Sequence, residues 1–405
     1  MTTLLPEPGT ATGGHFCLIC GPVGGVSAIL NVFLFVPLGL GLALCGMPWR
    51  RALAAAVGLS IVIETTQLVA IPGRYAALGD VITNGIGGAL GFAIGRYRRA
   101  LLRPSRRLAL TLAASWSAIW LVTEAISAFG FTPRLPRTEY YGQIARQLGN
   151  FEQFQGRVLH AGVGPRMMPD SDFEDDGEIR ELLLRGAPVT ATIIPAAPAA
   201  GLAPILRIAD SSDREMVLLA QNGSDLLFGV RTGAAWFRLR PPVVALADFF
   251  PASPDSSEPH DSIGISVSYS ANEASFHEQS RRNVDRDIRI TASLGWTLLT
   301  PFQWFIEGTP QERVVTAIWI ASLLLPLGFW GLSSTLAYDA RNRIAAIVAA
   351  FVLLYLGLMA LPQAFGVYPA QVGEWLAAVG GLLVGGLLGL ARFGGNSDLR
   401  LGGRR

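Results

Sequence analysis

Lysine is absent from this chain, cysteine occurs three times, and charged residues make up only 15% of its 405 positions. About a quarter of the residues in an ordinary soluble protein are charged. That scarcity, with 51% hydrophobic residues and a mean hydropathy of +0.41, excludes a typical soluble globule and points to a membrane. Cys17, Cys20 and Cys45 are too few for a disulfide framework or a four-cysteine metal site. A net charge of +2 gives no footprint for nucleic acid, and the basic residues sit instead at the ends of apolar runs. Arginine without lysine, in an Ala- and Gly-rich chain, is expected from the coding bias of a GC-rich genome rather than from a physical requirement. No Lys or Arg precedes Arg50, and the apolar stretch from His15 to Met47 exceeds a signal peptide's apolar core, so this segment is expected to stay in the mature protein.

Crossing a hydrocarbon layer of ~30 Å takes about 20 helical residues. Runs of that kind occur near 26–46, 52–71, 80–96, 108–130, 312–333, 343–361 and 374–392. Arginine collects in short cytoplasmic loops, and here every alternate connection is basic. Arg50 and Arg51 follow the first run, Arg96 to Arg107 the third, Arg341 and Arg343 the fifth, and Arg392 to Arg405 the seventh. The expected topology is a multi-pass protein of a bacterial cytoplasmic membrane, with the N-terminus and residues 131–295 outside and the C-terminus inside. The expected organisation is a helical membrane domain over 1–130, an extracytoplasmic domain over 131–295, three further spans over 296–395 and a basic tail over 396–405.

Residues 131–295 gain acids and prolines and hold no run of 18 apolar residues. Short alternating or β-branched segments predict strands at 178–184, 189–194, 204–209, 214–220, 225–231, 235–240, 263–269 and 287–293. Asn222-Gly223 between two of these predicts a hairpin turn. Eight short strands without helical period argue for an antiparallel, all-β sandwich. The stretch Ile205 to Arg240 resembles the strand pattern of the concanavalin A-like lectin/glucanase (laminin-G-like) jelly rolls. The resemblance implies glycan binding and brings no catalytic motif; an inert or protein-binding sandwich is the alternative. Asp172, Glu174, Asp176 and Gly177 fall at calcium-loop spacing, yet the closing position is Leu183 where a Glu is needed, which favours a solvated turn. His160, His260 and His277 have no metal-ligand spacing, and no metal or other cofactor is expected.

Polar residues inside the first three runs carry most of the information, because an ionisable group in hydrocarbon needs a partner or a purpose. Counting ~1.5 Å per residue from the cytoplasmic arginines puts Asn31 about 28 Å, Glu64 about 20 Å and Asn84 about 18 Å up their helices, all in the outer half. Ser60, Glu64 and Gln67 share one face of the second run; Asp80, Asn84 and Gly87 share one face of the third. A short external loop carrying Arg74 joins the two runs, so these groups can converge on one outward-opening pocket. Gly39, Gly87 and Gly91 permit close helix approach, the last two at small-xxx-small spacing.

"NVFLFVPLG" (Asn31 to Gly39), "SIVIETTQ" (Ser60 to Gln67), Arg74 and "DVITNGIGGALG" (Asp80 to Gly91), in that order, resemble the VanZ-like family of bacterial membrane proteins, named after a member linked to teicoplanin resistance. The resemblance spans roughly residues 15–97 and puts Asn31, Pro37, Gly39, Glu64, Gln67, Arg74, Asp80, Asn84 and Gly87 at signature positions. It names a site without naming a reaction.

Three roles compete for these residues. In the first, the pocket of Asn31, Glu64, Gln67, Arg74, Asp80 and Asn84 binds a lipid-linked or glycan envelope component among the membrane lipids, with Arg74 forking onto phosphate or carboxylate, the sandwich engages glycan or a partner, and the protein modulates the envelope or the response to glycopeptide antibiotics. The second is an enzyme using Glu64 or Asp80 as a general base and Arg74 as the anion stabiliser on a lipid-linked phosphoryl or acyl substrate; no nucleophile or metal motif accompanies it. The third is purely structural, an ion pair holding helices in register. Transport would call for internal repeats and discontinuous helices, and no second copy of the pattern follows residue 297. Cys17 and Cys20 in "HFCLICG" are either free buried thiols, a local disulfide on the outer side, or a metal or redox pair with His15.

Overall fold

The structure, a computed structural model, describes residues 19, 21–70, 77–145, 151–195, 198–250, 262–279, 284–332, 334 and 340–394. Seven of its helices are long and apolar enough to cross a membrane: Gly24–Leu44, Trp49–Ala70, Leu78–Leu102, Arg106–Phe131, Pro310–Leu332, Arg343–Ala364 and Val372–Ala391. They are the first to seventh spans, and each coincides with one expected apolar run. Local signals set their starts. The Ser105 hydroxyl accepts from the Leu108 N–H at 3.4 Å, and the Thr309 hydroxyl from the Glu312 N–H at 3.3 Å, with Pro310 opening the helix behind it.

Burial along the spans is the reverse of that in a water-soluble helix. Exposed positions include Phe33, Leu34, Ile61, Val62, Val69 and Leu90, whereas Ser60, Glu64, Asn84 and Glu124 are buried. A lipid solvent demands this arrangement, since backbone and side-chain polar groups find no partners in hydrocarbon. The spans gather as one group of three and one of four. Between the groups, the Trp330 indole N–H donates to the Leu101 carbonyl at 3.0 Å.

Glycine decides how the first and third spans meet. A Cβ on Gly39 would run into the Gly88 carbonyl, one on Gly87 into the Val32 carbonyl and one on Gly91 into the Val36 carbonyl. The helix backbones therefore touch without side chains between them. Ala56 of the second span meets Gly88 from the other side, where an added Cβ would come within 2.7 Å of the alanine methyl carbon. Pro37 lies within the first helix.

The β domain has two six-stranded sheets. One runs in the order β1 (Tyr140–Ile144), β5 (Ala199–Asp210), β6 (Glu215–Gly223), β7 (Asp225–Val230), β8 (Val243–Leu246), β12 (Phe305–Ile306). The other runs β11 (Asp285–Arg289), β10 (Glu273–Gln279), β9 (Ile263–Tyr269), β4 (Val189–Ile194), β2 (Arg157–Val163), β3 (Arg166–Met167). All pairings are antiparallel except β8 with β12. Inward residues such as Val189, Ala191 and Ile193 of β4 alternate with half-exposed ones, and they join Leu206, Ile208, Leu219, Phe228, Val267 and Phe276 in one core. This is a β sandwich, as the alternation predicts.

Several local expectations are corrected. Residues 178–184 are not a strand: Asp176–Leu184 is a helix, capped by the Asp175 carboxylate on the Glu178 N–H at 2.9 Å, and Ile179 and Leu183 are buried one turn apart. Residues 235–240 are not a strand either. After Val230 the chain turns across the end of the fourth span, the Gly233 N–H bonding to the Thr132 carbonyl at 2.9 Å, and Gly233–Phe237 forms a 3-10 turn. The predicted strand 287–293 ends at Arg289, and Ala292–Leu299 is a second 3-10 segment. The hairpin between β6 and β7 sits one residue on, with Asn222 opposite Asp225 and Gly223-Ser224 as the loop. Gly223 has φ +61°, the left-handed backbone that glycine supplies at the first central position of such a turn.

The sandwich is fastened to one end of the helices. Gly25 of the first span donates its N–H to the Arg238 carbonyl at 3.0 Å, and the Tyr269 hydroxyl donates to the Phe131 carbonyl at 3.0 Å. Trp296 donates to the Thr316 hydroxyl of the fifth span at 3.0 Å. Val23, just ahead of the first span, and Ile29 and Leu30 within it pack against the sandwich core itself.

Candidate functional site

The polar residues of the first three spans come together at the end that carries the sandwich. Asn31 follows directly on Leu30, which packs on the sandwich core. Its Nδ2 donates to Asp80 Oδ1 at 2.9 Å, joining the first span to the first turn of the third. A carboxylate in that turn also complements the positive end of the helix dipole. Asn84, one turn on, donates from Nδ2 to the Ser60 hydroxyl of the second span at 2.9 Å. One turn beyond Ser60, Glu64 Oε2 accepts the Ala77 N–H at 3.2 Å, just ahead of the third helix. The third helix is thus tied by side-chain hydrogen bonds to both the first and the second.

Burial follows the same face. On the second span Ala52, Ala56, Ser60 and Glu64 are buried at every fourth position, and Gln67 is half-buried at its end. Ser60 is fully buried and Asn84 is 3% exposed. Among the described residues no donor reaches Asn84 Oδ1, a buried amide acceptor in this cluster. Arg74, expected to complete the cluster, lies outside the described residues, as do Cys17, Cys20 and His260. The remaining cysteine, Cys45, is a free, exposed thiol at the opposite end of the first span.

A cavity of about 230 Å³ lies elsewhere, lined by Gln303, Trp304, Phe305, Glu307, Thr309 and Glu312 where the sandwich meets the fifth span. Of its two acids Glu312 is already engaged, accepting the Glu307 N–H at 2.9 Å and the Gly308 N–H at 2.8 Å. Burial, then the neighbouring Glu312, Asp225 and Asp248 carboxylates, push the Glu307 carboxyl above its usual range, with Arg286 opposing.

The acidic run Asp170 to Glu181 is held by protein donors. Asp176 accepts the Tyr140 N–H at 2.8 Å, Asp170 the Ile144 N–H at 3.0 Å, and Glu178 pairs with Arg166 at 2.8 Å. Among the described residues no group of three or more His, Cys, Asp and Glu side chains is arranged to hold a metal ion. His277 pairs with Asp285 at 2.8 Å on the surface of the sandwich.

Two acids stand out that spacing alone did not single out as a pair. Glu124 is 1% exposed in the fourth span. Glu374 opens the seventh span and accepts the Thr291 hydroxyl of the sandwich at 2.6 Å. A charged residue interrupting the apolar run 108–130 was the available signal for the first of them.

Comparison with protein families matches residues 8–101 to the VanZ/LLP1 family model. The match covers the first three spans, whose glycine packing and polar cluster are described above, and identifies a VanZ-like domain there. It leaves the β domain without a lectin or jelly-roll family. Searches of curated proteins and of solved structures returned no match.

Proposed function

We propose that the VanZ-like domain binds the hydroxyl-rich headgroup of a lipid-linked or glycan component of the bacterial envelope, and that through this binding the protein modulates the envelope's response to glycopeptide antibiotics. The observation that carries this reading is Asn84 Oδ1, a buried acceptor with no donor among the described residues, beside Ser60, Asp80, Asn31 and Glu64. Amides and carboxylates are the acceptors that sugar hydroxyls satisfy. An unmet buried acceptor costs about 1–3 kcal/mol, which a ligand hydroxyl placed there recovers.

In this proposal Arg74 supplies the charge for a phosphate linking headgroup to lipid, and Gln67 lines the entrance. The arginine pattern orients the site outward, so that the sandwich stands over it on the extracytoplasmic side and engages glycan or a partner. The acyl or polyprenyl chain lies along the exposed apolar faces of the spans, where Ile61, Val62 and Val69 already meet lipid.

Native mass spectrometry of the purified protein with its co-purifying lipids tests this. The expected result is a bound glycolipid or polyprenyl species on the wild type that is lost from Asn84→Ala and Asp80→Asn at unchanged folding. A wild type carrying only bulk phospholipid, or variants that keep the same species, would end the proposal.

A further inference from the structure

The fourth span holds an acid that the proposed headgroup site does not use. Glu124 lies about two helical turns before Phe131, where the span meets the sandwich, and is 1% exposed. One turn away, Trp120 is fully buried in an apolar cluster with Ile320 and Leu324 of the fifth span, Leu354 and Leu358 of the sixth and Ala378 of the seventh. The Trp120 indole N–H donates to Glu124 Oε1 at 3.1 Å. Among the described residues nothing donates to Glu124 Oε2.

Behind the indole, the sixth span is built to fit. A Cβ on Gly357 would collide with the Trp120 ring, and Gly357 lies in a π turn, Leu356–Ala360, inside an otherwise α-helical span. Such single π turns recur at functional sites. Here it brings backbone against the ring that holds the acid.

The ionisable group that acts on Glu124 is another acid. Glu374 of the seventh span lies one turn from Ala378 on the sandwich side, as Glu124 lies one turn from Trp120, and Trp120 and Ala378 share the same apolar cluster. Glu374 Oε1 accepts the Thr291 hydroxyl and Oε2 the Gln371 N–H, each at 2.6 Å. Among the described residues no arginine or histidine acts on either acid. On the fourth, sixth and seventh spans and on the Thr291 segment, the facing groups are thus these two carboxyls, the Trp120 indole and the hydroxyls of Thr291 and Ser293.

Two like charges in one low-dielectric site do not both persist, and a single proton relieves them. We propose that Glu124 and Glu374 form a proton-binding site, with Glu124 holding the proton on Oε2 and Glu374 remaining the carboxylate. The assignment follows from the donors. Both Glu374 oxygens already accept, which suits the ionised form, whereas Oε2 of Glu124 has a free lone pair. Loading takes one proton from hydronium, forms the Glu124 O–H bond and releases water; unloading reverses it. Because Glu374 is also the anchor for Thr291, the proton on Glu124 sets how much repulsion acts on the contact fastening the sandwich to the seventh span. The site is a place where proton occupancy reaches the sandwich through one hydrogen bond.

Infrared difference spectroscopy of the full chain in lipid nanodiscs reads this directly. At neutral pH, wild type minus Glu124→Gln should show the carbonyl stretch of a non-ionised carboxylic acid. Loss of carboxylate bands instead would overturn the proposal. Should that variant fail to fold, wild type labelled with carbon-13 glutamate shows or lacks the same acid band without a mutation. Glu374→Gln should shift the pH at which the band is lost; an unmoved titration would dissolve the pair. Carboxylate bands at Glu124 that appear only with added sodium would make this a cation site and refute the proton assignment.

Discussion

The first and third spans meet along Gly39, Gly87 and Gly91, the fifth and seventh along Gly328, Gly381 and Gly385, and in both places backbone lies against backbone. An added Cβ on Gly328 would strike the Leu382 carbonyl, on Gly381 the Ala321 carbonyl and on Gly385 the Leu325 carbonyl. What flanks the two seams differs. Beside the first stand Asn31, Asp80, Ser60 and Asn84 in hydrogen bonds that cross between helices. Beside the second stand Ile320, Leu324, Leu327 and Leu382, an apolar cluster. Glycine therefore marks where helices touch, and the polar residues mark the contact to which we assign the proposed binding role.

The largest effects should come from the seams. Gly91→Leu and Gly385→Leu each force a side chain into a facing carbonyl, so both should cost about 3 kcal/mol, the upper end for over-packing. Heating followed by size-exclusion recovery of folded protein measures it. If Gly385→Leu alone were tolerated, the second seam would not be a direct contact and the comparison would fail.

The sandwich supplies an internal reference that neither seam should disturb. Burial pushes the Asp210 carboxyl up, but the Arg214 guanidinium and N–H together with the Ser212 N–H outweigh it and hold it below the ordinary value. With the folded value the lower one, its stabilisation is complete above the usual carboxylate range and is lost as pH falls through the depressed value. Asp210→Asn should cost about 2 kcal/mol, as for hydrogen bonds to a charged group, and should flatten this acid sensitivity. Melting curves of the β signal by circular dichroism, at neutral and acid pH, decide it; an unchanged acid slope in the variant would remove Asp210 from the account.

A smaller effect separates the two seams by function. Asn31→Ala removes one interhelical hydrogen bond, worth about 0.6–2 kcal/mol in a membrane, and should reduce ligand retention far more than thermal stability. At the second seam, Leu324→Ala should do the opposite, lowering stability by about 2 kcal/mol, the low end for a leucine-to-alanine cavity, with retention unchanged in the folded fraction. Equal loss of retention in both would mean that the readout follows folding alone. The smallest effect is expected for Tyr269→Phe, which removes the hydroxyl bond to the Phe131 carbonyl and should cost about 1 kcal/mol, seen as faster hydrogen exchange at the end of the fourth span.

The spans were legible because lipid imposes a single simple rule on length and hydropathy; Leu78–Leu102 and Arg106–Phe131 differ from the expected runs mainly by turns that carry arginine beyond the apolar stretch. The polar cluster was legible through helical spacing, which puts Ser60 and Glu64 one turn apart before any packing is known. The sandwich was legible as a class and less so in detail. Ile179 and Leu183 serve a helix whose cap, Asp175, reads equally as part of an acidic loop. Strands β2 and β10 were missed because their inward positions are small or mixed, as in Val158, Ala161 and Val163 around a bulge at Leu159, and β8 because it is only four residues long. The second seam and the Glu124–Glu374 pair were not legible, since each depends on which distant spans are neighbours.

The central claim is that Asn31, Asp80, Ser60 and Asn84 act as one headgroup site and do more than tie helices together. A double-mutant cycle of Asp80→Asn with Asn84→Ala, read by native mass spectrometry as retained glycolipid and in parallel by thermal stability, tests it most directly. The account predicts that either single change abolishes most of the retention and that the double change adds little, while the stability costs add. Additive losses of retention, or coupling seen in stability alone, would contradict it and leave the cluster as helix packing.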